Sequence, residues 1–119
     1  MTSIPASIKI QLRAGTENEC VFELDAPGTE GYVIGRSDAK SSYIPDVDLA
    51  PCDALEKGVS RRHAALVRFK ESTACLLDLD SSNGTFLNGD RLKPNQPYPL
   101  NDGDQIRLGT LTLYFTVSD

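Results

Sequence analysis

Turn signals divide this chain so finely that little room is left for helices. Ala26-Pro27-Gly28, Ser82-Asn83-Gly84, Leu87-Asn88-Gly89-Asp90 and Asn101-Asp102-Gly103-Asp104 each place a glycine where the backbone can reverse. Asx-Gly pairs suit tight hairpin turns because glycine takes positive φ without a Cβ clash. Between the turns, apolar residues alternate. Ser7–Leu12 reads S-I-K-I-Q-L, a half-buried strand, and Val21–Leu24 follows the Gly15–Glu19 turn as its partner. Tyr32–Ile34, Val47–Leu49, His63–Phe69, Ala74–Leu79, Thr85–Leu87, Gln105–Leu108 and Leu111–Val117 are further short runs of β-type composition. No helix of ten residues with a clean 3.6-residue period is present. One helical turn is expected, at Asp53–Lys57, inside the longest irregular stretch, Ser37–Gly58. About ten short strands bounded by turns predict an all-β sandwich. With no internal repeat and no low-complexity segment, residues 1–119 are expected to form a single domain.

Composition narrows the function. Hydrophobic residues at 39% and charged residues at 24% are those of a folded globular chain. A formal net charge of −5 argues against a nucleic-acid or anionic-membrane binder, since both want a basic face. The N-terminus lacks a basic stretch followed by an apolar core, so it does not read as a signal peptide. The longest apolar run, Ala64–Val67, is far shorter than a membrane span. Cys20, Cys52 and Cys75 are odd in number and widely spaced, with no CxxC pair. Neither a disulfide framework nor a zinc site is expected, and no cofactor is implied. The expected compartment is a reducing cytoplasm.

The acidity is uneven. Lys57 to Lys70 contains five basic residues and no acidic one; the other 105 residues carry seven basic and seventeen acidic, a balance of −10. At the centre of the basic segment Ser60-Arg61-Arg62-His63 directly precedes a strand. A second polar cluster, Asp80-Ser81-Ser82-Asn83-Gly84-Thr85, offers hydroxyls and a carboxamide in one loop. A third, Gly35-Arg36, ends a strand. Taken singly, each has an ordinary explanation: a strand-end ion pair for Arg36, a solvated loop for the serines.

Gly35-Arg36, Ser60-x-x-His63, Ser82-Asn83-Gly84-Thr85 and Asn88-Gly89, in this order and spacing, resemble the forkhead-associated (FHA) domain. Leu100-x-x-Gly103-Asp104-x-Ile106-x-Leu108-Gly109 is similar to the family's closing hairpin. The resemblance covers nearly the whole chain. It implies a β-sandwich of about eleven strands in two antiparallel sheets, with loops at one end that bind a phosphothreonine peptide. It also implies a non-catalytic module acting downstream of a Ser/Thr kinase, with a preference for phosphothreonine over phosphoserine.

A phosphothreonine carries about −1.5 to −2 charges and three strong acceptor oxygens, so a reader needs a fixed cation and several convergent donors. By the resemblance, Arg36 supplies the guanidinium fork, Ser60 a hydroxyl, Arg61 a further cation or backbone N–H, and Ser82 another hydroxyl. Asn83 is similar to the residue whose amide holds the peptide backbone just after the phosphothreonine. Gly35, His63, Gly84, Thr85, Asn88 and Gly89 are expected to support the binding loops. Arg91 and Lys93 read as a solvated face. Two departures stand out. The 37–58 segment is long, and Gly58 occupies a position where some family members carry a basic residue that selects the third peptide residue. Nucleophilic catalysis is not expected, since no base is set beside a Ser or Cys and no GxSxG occurs. The alternative is an FHA scaffold that docks proteins without phosphate.

Overall fold

The computed structural model describes residues 9–15, 20–70 and 72–118. Part of the first expected strand (Ser7 and Ile8) and residues 16–19 of its turn lie outside them. Alternating burial builds the first sheet. β1 (Lys9–Ala14) buries Ile10, Leu12 and Ala14 and turns Lys9, Gln11 and Arg13 away. It lies between β2 (Cys20–Asp25) and β11 (Leu111–Ser118), which contributes Leu111, Leu113 and Phe115 to the same core. β10 (Gln105–Leu108), β7 (Thr85–Leu87) and β8 (Asp90–Arg91) complete a six-stranded sheet in the order β2-β1-β11-β10-β7-β8.

The second sheet has five strands in the order β4-β3-β5-β6-β9. These are β3 (Tyr32–Gly35), β4 (Val47–Asp48), β5 (Arg62–Phe69), β6 (Ser72–Asp78) and β9 (Tyr98–Pro99). Ile34, Ala64, Leu66, Ala74 and Leu76 join the residues of the first sheet in one apolar core. The fold is therefore the expected all-β sandwich of eleven strands among the described residues.

Three details differ from the sequence reading. The sheets are antiparallel except at β3–β4, which pair in parallel because the 36–46 connection carries the chain back to the start of the same edge. A single 3₁₀ turn at Ala50–Cys52, which Pro51 starts and Asp53 at φ 62° stops, precedes the expected turn at Asp53–Lys57, where the Lys57 N–H donates to the Asp53 carbonyl at 3.1 Å. Cys20 and Cys52 form a disulfide, with Cα atoms 6.0 Å apart. The expectation of no disulfide is thus overturned: partners 32 residues apart in sequence meet only because β2 and the 3₁₀ turn pack together. Cys75 is free and buried.

Register sets the functional end. Gly35 pairs with Arg62, Ala64 with Asp78, and Leu108 with both Thr85 and Leu111. The end of β3, the start of β5, the end of β6, the start of β7 and the β10–β11 turn consequently share one end of the sandwich. Backbone bonds tie these loops across the two sheets: Gly109 N–H donates to the Gly84 carbonyl (3.1 Å) and Thr110 N–H to the Lys57 carbonyl (2.8 Å).

Candidate functional site

Arg36 leaves β3 at a point of very close backbone packing. A Cβ on Gly35 would run into the Arg61 carbonyl, so only glycine fits, and the Arg36 N–H donates to that same carbonyl at 3.2 Å. The arginine side chain is anchored twice. Nε–H donates to the Val59 carbonyl (2.7 Å) and Nη1 to Asp38 Oδ2 (3.2 Å). Of the five N–H donors on a guanidinium, three remain for a ligand. The side chain is 16% exposed, so those donors are held in place but reachable.

Asp38 has two partners at its second oxygen. Arg61 Nε lies 3.6 Å from the Oδ2 that Arg36 contacts. The Lys40 N–H fixes the other oxygen at 2.8 Å. The Lys40 N–H first, and then the Arg36 guanidinium, hold the Asp38 carboxyl below its ordinary value. One carboxylate thereby brings two cations side by side.

The other loops converge on this point. Ser60 Oγ accepts the Ser82 N–H (3.3 Å), which leaves the serine O–H as a donor. Asn83 Nδ2 donates to the Gly58 carbonyl (2.9 Å), and its side-chain oxygen keeps acceptor capacity. Gly58 has φ 80°, and a Cβ there would stand 2.7 Å from Asn83 Nδ2. Ser82 and Asn83 are exposed. Arg36, Ser60, Arg61, Ser82 and Asn83 are therefore joined through Val59, Asp38 and Gly58 into one cluster.

Two buried polar groups brace these loops from below. His63 is fully buried. Its Nδ1 accepts the Ser60 N–H and its Nε2–H donates to the Gly84 carbonyl, both at 2.9 Å. That pair of partners requires the neutral ring with the proton on Nε2. Burial pushes the His63 pKa down; the Gly84 carbonyl and the Asp78 charge oppose this less strongly. Asp78 is the second brace. Its Oδ1 accepts the hydroxyls of Ser81 (2.6 Å) and Thr85 (2.7 Å), and Ser81 Oγ accepts the Gly84 N–H (3.1 Å). Asn88 and Gly89 form the β7–β8 turn, where Asn88 Nδ2 donates to Asp104 (3.0 Å) and its side-chain oxygen accepts the Gln105 N–H (2.9 Å).

Asp38, Asp78 and Ser81 were not singled out from the sequence. Ser37-Asp38-Ala39-Lys40 does carry an Asx-turn signal, an Asp ahead of an N–H two residues on. Nothing local announces that its carboxylate also reaches Arg36 and Arg61. Arg91, read as part of a solvated face, is exposed on β8.

Comparison with known proteins identifies the family. The FHA domain family model matches residues 32–109. The chain belongs to the FHA family. Among relatives of this FHA domain, the FHA domain-containing protein FhaA of Mycobacterium tuberculosis is 40% identical over 77 residues, covering 65% of this chain and 12% of that protein. The human nuclear inhibitor of protein phosphatase 1 is 33% identical over 91 residues, covering 74% and 23%. The chain thus spans less than a quarter of the length of either. An FHA domain solved in work on phosphothreonine-dependent FHA domain interactions superimposes with a TM-score of 0.70 at 27% identity, covering 93% of this chain and 98% of that one. The FhaA FHA domain, complexed with the intracellular domain of another protein, gives 0.66 at 28% identity, covering 89% and 98%. Among the described residues no helix is long and apolar enough to cross a membrane.

Proposed function

We propose that this FHA domain binds phosphothreonine-containing protein segments made by a Ser/Thr kinase, without catalysis and without a cofactor. The observation that carries this reading is the convergence of Arg36, Ser60, Arg61, Ser82 and Asn83 at one end of the sandwich, with their loops cross-braced. Arg36 supplies a charge fixed in direction, Ser60 and Ser82 supply neutral donors, and Arg61 adds a second, more exposed cation, 53% exposed. Asn83 stands beside them to hold the peptide backbone. A dianion with three acceptor oxygens matches this set better than a carboxylate does. Phosphothreonine-dependent binding described for a structural relative supports the same reading.

The test is titration of a phosphothreonine peptide and its unmodified twin. The phosphopeptide is expected to bind at least about tenfold more tightly, because each charge-assisted hydrogen bond contributes about 1.5–3 kcal/mol. Arg36→Ala is expected to remove most of that difference. Equal affinity for both peptides would replace the proposal with phosphate-independent docking, and unchanged affinity in Arg36→Ala would remove Arg36 from the site.

A further inference from the structure

The register of the six-stranded sheet sets three side chains in a row. Arg107 on β10 pairs with Phe86 on β7, and Phe86 pairs with Arg91 on β8. Their neighbours Ile106 and Leu108 are buried, so by alternation Arg107 lies on the outer face. The Arg107 guanidinium carbon stands 3.8 Å from the Phe86 ring centroid, and that of Arg91 stands 5.8 Å from it. Both distances fall within cation–π range. Arg107 Nη1 also donates to the Gly109 carbonyl at 2.7 Å. Among the described residues, neither arginine has a carboxylate within ion-pair distance.

This row begins where the phosphate cluster ends. A Cβ on Gly84 would lie 3.0 Å from Arg91 Nε, so the guanidinium rests on the residue that follows Asn83. On the other side of Asn83, Arg107, Lys57, Glu56 and Thr110 help line an open pocket of about 370 Å³. Asn83 and Gly58 form the wall shared with the cluster. A peptide that passes Asn83 on leaving Arg36 and Ser60 therefore meets two guanidiniums, Arg107 held over Phe86 and the more exposed Arg91 beside it. Two inter-strand spacings separate β10 from β8, about 10 Å, the span of about three extended peptide residues. Lys57 adds a third cation, partly offset by Glu56. Asp90 precedes Arg91 but pairs with Leu87, whose side chain packs on the core, so it belongs to the opposite face.

We propose that the Arg107–Phe86–Arg91 row, together with the adjoining pocket, recognises Asp or Glu side chains flanking the phosphothreonine. This rests on the phosphothreonine reading above. Residue 58 cannot make the selection, because it is glycine and a side chain there would displace Asn83. The row takes over selection from two different strands. Stacking on Phe86 limits the motion of Arg107, so less side-chain entropy is lost on binding. Outside Lys57–Lys70 the chain is net acidic, which disfavours an acidic flank over much of the remaining surface.

The test uses fluorescence anisotropy with peptides that share one phosphothreonine and carry Glu, Gln or Lys at the second to fourth positions, on one side or the other. For the unsubstituted domain, Glu on one side is expected to tighten binding about three- to tenfold over Gln at low salt, the scale of two partly screened ion pairs. The gain should shrink at high salt. Arg107→Gln and Arg91→Gln should each reduce the Glu-over-Gln ratio to less than about twofold, while Arg107→Lys restores part of it. The Gln-flank peptide reports the integrity of the phosphate cluster in each variant. A Glu-over-Gln ratio of one in the unsubstituted domain, or a ratio that survives both Gln substitutions, overturns the proposal. If phosphopeptide and unmodified peptide bind alike, the phosphothreonine reading itself fails. If Arg36→Ala abolishes binding but the flank ratio stays at one, only the present proposal fails.

Discussion

His63→Phe should separate the loops of the binding end without disturbing the size of the core. The ring of His63 joins the Ser60 N–H to the Gly84 carbonyl through two 2.9 Å hydrogen bonds. Phenylalanine fills similar space and makes neither bond. The half-buried Ser60 N–H loses its partner, and the buried Gly84 carbonyl keeps only the Gly109 N–H. One unsatisfied group costs about 1–3 kcal/mol, so the variant should lose about 1–3 kcal/mol against a typical domain stability of about 5–15 kcal/mol. Urea unfolding followed by fluorescence or circular dichroism measures this. A pH series adds a second readout. Burial lowers the His63 pKa in the fold, whereas the unfolded histidine titrates near the ordinary value of about 6.5. Between those two values the unfolded chain binds more protons, so the native protein should lose stability as pH falls below about 6.5. Above that pH the His63 contribution is flat. The variant lacks this component, so its disadvantage should be largest at neutral pH and narrow on acidification. A loss of less than about 1 kcal/mol, or the same pH slope in both proteins, would refute the assignment of His63 as a neutral brace.

Three further outcomes follow from other contacts. Breaking the Cys20–Cys52 bridge by Cys20→Ser should lower stability by about 3–4 kcal/mol in urea unfolding, on the chain-entropy estimate for a 32-residue separation; a change below about 1 kcal/mol would count against the bridge as a structural staple. Gly58→Ala should cost about 1–2 kcal/mol for its left-handed backbone and push Asn83 from its 2.9 Å bond, weakening phosphopeptide affinity several-fold; unchanged affinity in peptide titration would release Asn83 from the binding role. Asp38→Asn leaves Arg36 and Arg61 without their shared carboxylate and should raise phosphopeptide affinity about three- to tenfold at low salt, with a smaller gain at high salt; a fall in affinity would refute competition between Asp38 and the phosphate.

What was readable in the sequence is what short-range pattern encodes. β1, β5, β10 and β11 announce themselves by alternation or by β-rich runs that extend over four residues or more. β8 and β9, two residues each, are too short to show any period; pairing with β7 and β6 defines them. Arg36, Ser60, Arg61, Ser82 and Asn83 lie in short polar stretches at strand ends, but it is the joint resemblance of those stretches to the FHA family that singles them out. Asp38, the Cys20–Cys52 bridge and the Arg107–Phe86–Arg91 row could not be singled out. Each depends on which strands lie side by side, a property of sheet order and not of local spacing.

The buried carboxylate of Asp78 has a consequence for how this domain can change. It holds Ser81 and Thr85 at the two ends of the loop, while Ser82 and Asn83 face outward between them. The Asp78 bonds that set the loop's shape are thus separate from Ser82 and Asn83, the two residues proposed to meet the peptide. Substitutions at position 83 release its bond to Gly58, but those at 82 and 83 leave the Asp78 bonds to Ser81 and Thr85 in place. A library restricted to these two sites, with Asp78, Ser81 and Thr85 retained, gives an entry to new binding preferences on the Asp78 frame.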